Sequence, residues 1–390
     1  MKEREPRRPR DNKQRRDKTK DTAPRILERR PTQEPKVLAI NNTVNTQDCR
    51  PGPAPQSQLP PQSSIQEKTK SDSPPTGTVP FYRRQDQFQM EAVMKVLTDH
   101  PGHFVVGVVG QQGVGKSTIL SAFTDRPAEA FPTQSNDLFL AHGHKTLGID
   151  MYACPERVLL LDTEPLLCWT VLEKALQHTS LQGTSPDAWL EMDSLYQLVF
   201  LLSVCNVVLV VMEGTDVDMD MLQCLRRAEL LKFRIPDFPL LNTNMFGPHD
   251  MNYYPDIMFV CNKCQESEWT RSNYLQVQSM LDQTFQDTQM KIKGTGSLAS
   301  VLPGFNTAEA VVSPLNLYFL PWKHQTQMES FEVLVQSLRD MVMAAPRRRG
   351  RKNHLSEKEW FKNAVKVYDM VRRSEYIRDY TKSIRKLRDP

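Results

Sequence analysis

A glycine-rich segment at residues 110–118 has the residue types and spacing of a phosphate-binding loop. The pattern G-x-x-x-x-G-K-[ST] follows directly after an apolar run at 104–109. In such a loop the glycines let backbone N–H groups turn towards phosphates, a lysine neutralises their charge, and a hydroxyl ligates Mg²⁺. We therefore predict binding of a nucleotide through its phosphates, the alternative being a vestigial loop that stays empty. The predicted binding residues are Gly110, Gln112, Gly113, Val114, Gly115, Lys116, Ser117 and Thr118.

Two residues outside the loop complete a predicted metal site. Thr146 lies just before an apolar run at 149–154, where a GTPase has its switch threonine, and Asp162 ends the run at 157–162. A hydroxyl and a carboxylate are oxygen ligands of the kind that Mg²⁺ prefers. With Ser117 they form the expected metal side of the site. The alternative for Thr146 is an ordinary threonine at a strand edge.

Three positions depart from the pattern of a nucleotide-hydrolysing switch. GTPases follow the strand-end aspartate with x-x-Gly, whose N–H senses the third phosphate, but Pro165 stands in that place and has no N–H. Leu166 occupies the place of the water-orienting glutamine. Gln112 puts a side chain where small GTPases often have glycine, which crowds an arginine finger. These departures predict weak or absent hydrolysis and no catalytic residues.

The base-reading motif [NT]-K-x-D is present only in part, in the stretch CNKCQ. Asn262 and Lys263 match it, but Gln265 replaces the aspartate that accepts two hydrogen bonds from guanine. We expect the base, in GDP/GTP or ADP/ATP, to be bound with weak selectivity, and the choice between adenine and guanine stays open. The C-x-x-C pair Cys261 and Cys264 has no second pair or histidine at metal spacing, so we expect no zinc or redox chemistry.

The elements that position these residues alternate between strands and helices. Apolar runs predict strands at 103–110, 149–154, 157–162, 206–213, 256–263 and 316–322. Helical periodicity predicts helices at 83–97, from Lys116 onwards, and at 185–205, 216–232, 270–288 and 327–344. The alternation predicts an α/β fold of the phosphate-loop NTPase, G-domain-like type. Its sheet should be mostly parallel, with helices on both faces.

Composition predicts three parts of the chain. Residues 1–80 hold 13 of the 28 prolines, and residues 1–30 carry 13 Lys/Arg against 6 Asp/Glu, so we expect a disordered basic tail. The alternative is an arm that contacts nucleic acid or a partner. A nucleotide-binding domain is predicted at 81–345, with long loops at 233–254 and 291–311. A basic hinge and a C-terminal helix are predicted at 346–390, where Ser356 and Glu359 form a capping box.

Cysteine usage and apolar patterning indicate the compartment. The seven cysteines have no framework spacing, the N-terminus is charged rather than apolar, and the longest apolar run, at 198–212, is 15 residues long. A bilayer span needs about 20 apolar residues. We therefore expect a cytoplasmic, intracellular soluble protein without a membrane segment.

The motifs in combination resemble one family, the SMG-nine subunits of nonsense-mediated mRNA decay, in a shortened, nematode-type form. The resemblance covers about residues 85–375 and is carried by the stretches VGVVGQQGVGKS, TLGID, LLLDTEPLL, LVVMEGTDVDMDMLQCLRRAELLK, FVCNK and LSEKEWFKNAVKVYDMVRRS. It implies a G domain that pairs with a larger G-domain-like subunit of the SMG-eight type. It further implies that the pair regulates a PI3K-like kinase acting on an RNA helicase. The alternatives are an NTPase switch stimulated by its partner, or an RNA-binding adaptor that uses the basic tail.

Overall fold

The structure of the chain is a computed structural model. It describes residues 77–84, 87–131, 133, 143–177, 181, 184–232, 235, 253–294, 296–306, 314–323, 329–346 and 355–388. All of these belong to the second of two compact units, Lys70–Pro390. Residues 1–76 of the predicted tail, most of the predicted loop at 233–254 and the basic hinge at 347–353 lie outside the described residues.

The described strands form one eight-stranded sheet. They are β1 (Thr78–Arg83), β2 (Gln87–Phe88), β3 (Phe104–Gly110), β4 (Ile149–Ala153), β5 (Val158–Thr163), β6 (Val207–Glu213), β7 (Asp256–Cys264) and β8 (Leu317–Pro321). Their order in the sheet is β2-β1-β4-β5-β3-β6-β7-β8. Neighbouring strands in the series β5-β3-β6-β7-β8 pair in parallel. The pairs β5–β4, β4–β1 and β1–β2 are antiparallel.

The centre of the sheet is β3, which pairs with β5 on one side and β6 on the other. All of its residues are buried, as are all residues of β5 and β8. A strand that is buried along its whole length must be covered on both faces, which accounts for the continuous apolar runs in the sequence. The predicted α/β fold with a mostly parallel sheet is confirmed.

The helices connect and cover these strands. They are α1 (Met90–Val96), α2 (Lys116–Ala122), α3 (Trp169–Leu176), α4 (Pro186–Val204), α5 (Met219–Lys232), α6 (Arg271–Thr284), α7 (Phe331–Ala344), α8 (Glu357–Arg373) and α9 (Glu375–Arg388). Pro186 begins α4 after Ser185, as predicted, although the Ser185 side chain makes no capping hydrogen bond. None of the helices in the described ranges is long and apolar enough to cross a membrane.

The predicted helix at 83–97 is wrong in its first half. Residues 78–83 and 87–88 form the antiparallel strands β1 and β2, and the helix begins only at Met90. Phe88, which lies within the predicted helix, is in β2 and packs edge-on against Phe81 of β1. Because β1 starts at Thr78, the folded part begins before the predicted boundary at residue 81. The sequence did not indicate this strand because it contains Pro80, and proline lacks the N–H that a strand donates.

The C-terminal part contains two helices where we predicted one. The capping box of α8 is present: Ser356 Oγ accepts the N–H of Glu359 and the Glu359 carboxylate accepts the N–H of Ser356. Trp360 of α8 is fully buried and donates to the carbonyl of Val204 at the end of α4 (3.3 Å). The predicted loop at 291–311 contains two short 3₁₀ turns, Leu298–Ser300 and Pro303–Phe305.

Candidate nucleotide-binding site

The predicted site residues meet at one edge of the sheet. Parallel strands bring their carboxyl ends to the same edge, and in open α/β sheets ligands bind there. The loop at 111–115 follows β3, Asp162 lies near the end of β5, and residues 262–268 span the end of β7 and the turn after it. Because β4 runs antiparallel to β5, the residues that precede it, including Thr146, come to the same edge. The fold therefore gathers residues from distant parts of the sequence.

The glycine-rich loop needs glycine for its conformation at Gly115. This residue has φ +93°, a left-handed conformation that costs other residues free energy. A Cβ there would lie 2.3 Å from Nδ2 of Asn262. Asn262 itself is buried and donates to the carbonyl of Val114 (2.8 Å). The predicted base-side residue Asn262 thus holds the phosphate loop in place.

Lys116 begins α2 and points back into the loop. Its Nζ donates to the carbonyls of Gly110 (3.1 Å) and Gln111 (2.7 Å), and only 7% of the residue is exposed. Burial lowers the pKa of Lys116 to about 8, against the attraction of Asp162. A buried ammonium group among carbonyl oxygens is suited to an anion, because an anion would add the charge compensation that neutral carbonyls lack.

The three predicted metal-side residues are joined by hydrogen bonds. The hydroxyls of Ser117 and Thr146 both donate to Oδ2 of Asp162, each at 2.8 Å. The other carboxylate oxygen of Asp162, Oδ1, is buried without a hydrogen-bond partner. Burial raises the pKa of Asp162 to about 6, although Lys116 and the two hydroxyls oppose the shift.

These groups fit a magnesium ion in their chemistry. Mg²⁺ prefers oxygen ligands and typically takes one or two protein groups together with phosphates and waters. Two hydroxyls and a carboxylate with one unsatisfied oxygen match that preference. No group of three or more His, Cys, Asp or Glu side chains that could hold a metal is found among the described residues. A cation at this edge would therefore depend on the two hydroxyls as well as Asp162.

The segment after Asp162 is fixed to the sheet and to the phosphate loop. The hydroxyl of Thr163 donates to the carbonyl of Val108 (2.6 Å), and the N–H of Leu166 donates to the carbonyl of Gly110 (3.1 Å). The Leu166 side chain is buried, with 1% exposure. At the place where a GTPase senses the third phosphate, this chain has Pro165 without an N–H and Leu166 with its N–H already paired.

Gln112 makes contacts that the sequence did not indicate. Its Oε1 accepts the thiol of Cys168 (2.7 Å) and the hydroxyl of Thr170 (3.0 Å). Both donors lie at the start of α3, a helix that our sequence analysis did not predict. The glutamine therefore connects the phosphate loop to the segment that follows β5.

The base-side motif is held together by a carboxylate that the sequence analysis missed. Glu268 accepts the N–H and the hydroxyl of Thr215 (2.9 and 3.1 Å) and the N–H of Gln265 (2.7 Å). Burial works to raise the pKa of Glu268, but these hydrogen bonds outweigh it and the pKa is lowered. The Gln265 side chain is exposed. Lys263 has φ +59° and its Nζ lies 3.3 Å from Glu213 Oε1 and over the ring of Trp322.

A partly buried ionic cluster, also missed from the sequence, includes Glu164, two residues after Asp162. Arg84 pairs with Glu164 and with Asp193, and Glu164 accepts the N–H of Gly148 (3.0 Å). Burial raises the pKa of Glu164, against the effect of Arg84. The partners are 80 and 109 residues apart, so no local pattern could indicate them.

Cys261 and Cys264 are buried free thiols, and burial raises the pKa of both.

The fold and the site define the class of protein. The chain is an α/β protein with a mostly parallel sheet. At the carboxyl edge of that sheet a glycine-rich loop, a buried lysine and a hydroxyl–carboxylate cluster come together.

Comparison with known proteins gives particular relatives. No protein-family model matches the chain. The nonsense-mediated mRNA decay factors SMG9 of Xenopus laevis and Salmo salar are each 28% identical over 327 residues, which is 75% of this chain and 64% of theirs. The SMG9 of Caenorhabditis elegans is 30% identical over 148 residues, 36% of this chain and 37% of that protein.

SMG9 proteins are thus homologues of this chain, and the resemblance predicted from the motifs is confirmed. The similarity covers more of the chain in the Xenopus and Salmo proteins than in the nematode protein. The chain matches less than two thirds of the length of the former.

Proposed function

We propose that the chain is a regulatory and scaffolding subunit of nonsense-mediated mRNA decay, built on a nucleotide-binding, G-domain-like fold. In this proposal it forms a heterodimer with a larger G-domain-like subunit of the SMG-eight type. The pair controls a PI3K-like kinase that acts on an RNA helicase. The names of its homologues support the process, and the resemblance noted above motivates the partner and the kinase.

The observation that carries nucleotide binding is the convergence of Ser117 and Thr146 on Asp162 beside the buried Lys116. A buried ammonium group and an unsatisfied carboxylate oxygen are both costly to fold without a ligand. An anionic phosphate with its cation would compensate both groups. Ser117, Thr146 and Asp162 would hold Mg²⁺, which supplies charge neutralisation to the phosphates.

Hydrolysis in this proposal is weak or absent. A hydrolysing site needs a group that orients water and a group that responds to the third phosphate. The buried Leu166 side chain cannot polarise water, and its N–H is paired with Gly110. The bound nucleotide then acts as a structural ligand.

The residues at the base end of the site should discriminate little between adenine and guanine. Oxygens of the Glu268 carboxylate accept backbone hydrogen bonds, and Gln265 offers no carboxylate to guanine. Discrimination between purines depends on polar groups that would be left unpaired by the wrong base. Adenine and guanine nucleotides should therefore both bind, with affinity that comes mainly from the phosphates.

A structural nucleotide would support assembly by stabilising the loops at the sheet edge. A ligand that binds only the folded state adds about 3–4 kcal/mol when its concentration is 100 to 1,000 times its dissociation constant. The segments 143–148 and 163–176 flank the site and would be stabilised most, because they contain Thr146 and follow Asp162. A partner that docks near them would recognise the nucleotide-loaded form.

The test is co-expression of the full chain with its larger partner subunit, comparing the wild type with Lys116→Ala. Lysine removal leaves the phosphates without their main cation, so we expect nucleotide retention and co-purification of the partner to fall together. Lys95→Ala is the matched control, since Lys95 is an exposed lysine on α1. It should change neither quantity.

Other outcomes separate the alternatives. Normal assembly of Lys116→Ala with an empty site would contradict a scaffolding nucleotide. Steady turnover by the assembled complex, lost in Lys116→Ala, would instead favour the NTPase switch. RNA affinity of the full chain that disappears on deletion of residues 1–76, which leaves β1 intact, would favour the RNA-binding adaptor.

A further inference from the structure

Gln112 is the centre of a hydrogen-bond network that the proposed function does not use. A glutamine carbonyl oxygen has two lone pairs and no hydrogen. In Gln112 both are occupied, by the thiol of Cys168 (2.7 Å) and the hydroxyl of Thr170 (3.0 Å). The amide therefore acts purely as an acceptor for the start of α3.

The network continues to the segment that carries Thr146. The hydroxyl of Thr170, which donates to Gln112, also lies within hydrogen-bond distance of Nδ1 of His144 (2.6 Å). Lys174 of α3 in turn donates to the carbonyl of His144 (2.7 Å). The segments on both sides of the metal-side cluster are thus tied together.

A backbone hydrogen bond joins the same elements independently of Gln112. The N–H of Leu166 donates to the carbonyl of Gly110, the first residue of the loop (3.1 Å). In a switch, the residues after the strand-end aspartate are ordered by contacts with the third phosphate and released after hydrolysis. In this chain, protein groups make the corresponding contacts.

We infer that Gln112 is a positioning residue that holds segments 143–148 and 166–176 against the phosphate loop whether the nucleotide has two or three phosphates. The inference rests on the proposed function, because it concerns the regulation of the same site. It assigns the site a ligand class, purine diphosphates and triphosphates alike. The partner surface next to the site then reports that a nucleotide is bound and not how many phosphates it has.

The test is hydrogen–deuterium exchange of the full chain with Mg²⁺ and either ADP or a non-hydrolysable ATP analogue, and likewise with the guanine pair. In the wild type, exchange in 143–148 and 166–176 should be the same with both members of a pair. Gln112→Met keeps the shape of the side chain but removes the acceptor. It should speed exchange in both segments about tenfold, as expected for the loss of two hydrogen bonds in a local opening reaction.

The mutant should also gain a response to the third phosphate. Once Gln112 no longer holds Thr170 and His144, segment 143–148 keeps the bonds of His144 to Lys174 and of Gly148 to Glu164. At the metal-side cluster it keeps the hydroxyl of Thr146 on Asp162. That anchor should depend on the metal and the third phosphate, so exchange should be about fivefold slower with the triphosphate analogue than with the diphosphate. A glutamine that served only packing would change exchange without creating this difference.

Two matched pairs control the experiment. Gln111→Met makes the same substitution at the neighbouring exposed glutamine and should change neither segment. Thr170→Val removes the bridging hydroxyl and should reproduce Gln112→Met, whereas Thr170→Ser keeps the hydroxyl and should behave as the wild type. Peptides from β8 and α7 report whether each variant is folded.

The results that would overturn the inference are specific. One is a wild type in which segments 143–148 and 166–176 exchange several-fold more slowly with the triphosphate than with the diphosphate. The other is a Gln112→Met variant whose exchange in these segments matches that of Gln111→Met. Nucleotide content is measured on the same samples. If no sample retains or binds nucleotide, the proposed function fails, and the exchange of Gln112→Met against Gln111→Met in the ligand-free chain still tests the network.

Discussion

The two ends of the candidate site differ in how their polar groups are satisfied. At the phosphate end, Asp162 keeps a buried oxygen without a partner among the described residues, and Lys116 donates its hydrogen bonds to two neutral carbonyls. At the base end, Glu268 accepts from Thr215 and Gln265, and Lys263 lies beside Glu213. The phosphate end is arranged for a charged ligand, whereas the polar groups of the base end are mostly paired with one another. The comparison indicates that binding free energy should come from phosphates rather than from base recognition.

The contact that joins the two ends should be the most sensitive to change. Gly115→Ala would place a Cβ 2.3 Å from Asn262 Nδ2 at φ +93°, and should cost about 3–5 kcal/mol of unfolding free energy through clash and backbone strain. Gly102→Ala is the matched control, since Gly102 has φ +88° but a Cβ added there would meet no atom within 4 Å. It should cost only about 1–2 kcal/mol. Chemical denaturation of both variants measures the difference in unfolding free energy. Equal losses would mean that the clash with Asn262 does not destabilise Gly115→Ala.

Removing the charge at the phosphate end should separate stability from ligand binding. Asp162→Asn removes a buried carboxylate whose pKa burial raises to about 6. The ligand-free protein at pH 7 should therefore stay within about 1 kcal/mol of the wild type. The stabilisation by Mg²⁺ and nucleotide should fall by about 2–3 kcal/mol.

Thermal shifts with and without ligand measure this separation. Asp150→Asn is the control, because Asp150 lies opposite Asp162 in the sheet but pairs with Arg83. It should leave ligand stabilisation unchanged. Undiminished ligand stabilisation in Asp162→Asn would mean that the carboxylate does not serve the ligand.

Introducing a carboxylate at the base end should create selectivity for guanine. Gln265→Asp completes the [NT]-K-x-D motif, and a carboxylate that accepts two hydrogen bonds from guanine should raise the guanine-to-adenine affinity ratio about tenfold. Competition binding of GDP and ADP measures the ratio. Ser267→Asp, which adds the same charge at an exposed position, should not change it. A strong guanine preference already present in the wild type would contradict the comparison.

The smallest expected effect is a pH dependence at the phosphate end. His144 stays neutral in the folded chain down to about pH 4, because burial lowers its pKa from the ordinary value of 6.5. Between these values the unfolded chain binds more protons at this histidine, so the contribution of His144 to stability falls by about 1–2 kcal/mol from pH 7 to pH 5. The raised pKa values of Asp162 and Glu164 act in the opposite direction. Urea unfolding at both pH values should therefore show that His144→Gln gains about 1–2 kcal/mol relative to the wild type between pH 7 and pH 5, whereas His100→Gln at an exposed position should show no such gain.

The parts that the sequence predicted well are those set by local pattern. The continuous apolar run of β3 followed by G-x-x-x-x-G-K-S is contiguous, so both the strand and the start of α2 at Lys116 could be inferred. The grouping of Ser117, Thr146 and Asp162 also followed from the sequence, because strand topology brings strand ends to one edge. Whether these residues hold a nucleotide stays a prediction.

The parts that the sequence missed depend on contacts between distant residues. Glu268 lies 53 residues from Thr215, and Gln112 lies 58 residues from Thr170. Nothing in the neighbours of Glu268 marks it, and the loop pattern placed Gln112 at the site without indicating its contacts with Cys168 and Thr170. The strand β1 was missed for the same reason: its pairing with β4 outweighs the weak strand preference of a segment that contains Pro80.

The most direct test of nucleotide binding is to denature freshly purified full chain and identify what it releases by chromatography. We expect close to one purine nucleotide per chain, bound without added ligand and little altered by incubation. Material that is empty, shows no thermal shift with added nucleotides and Mg²⁺, and still joins its partner would contradict the account.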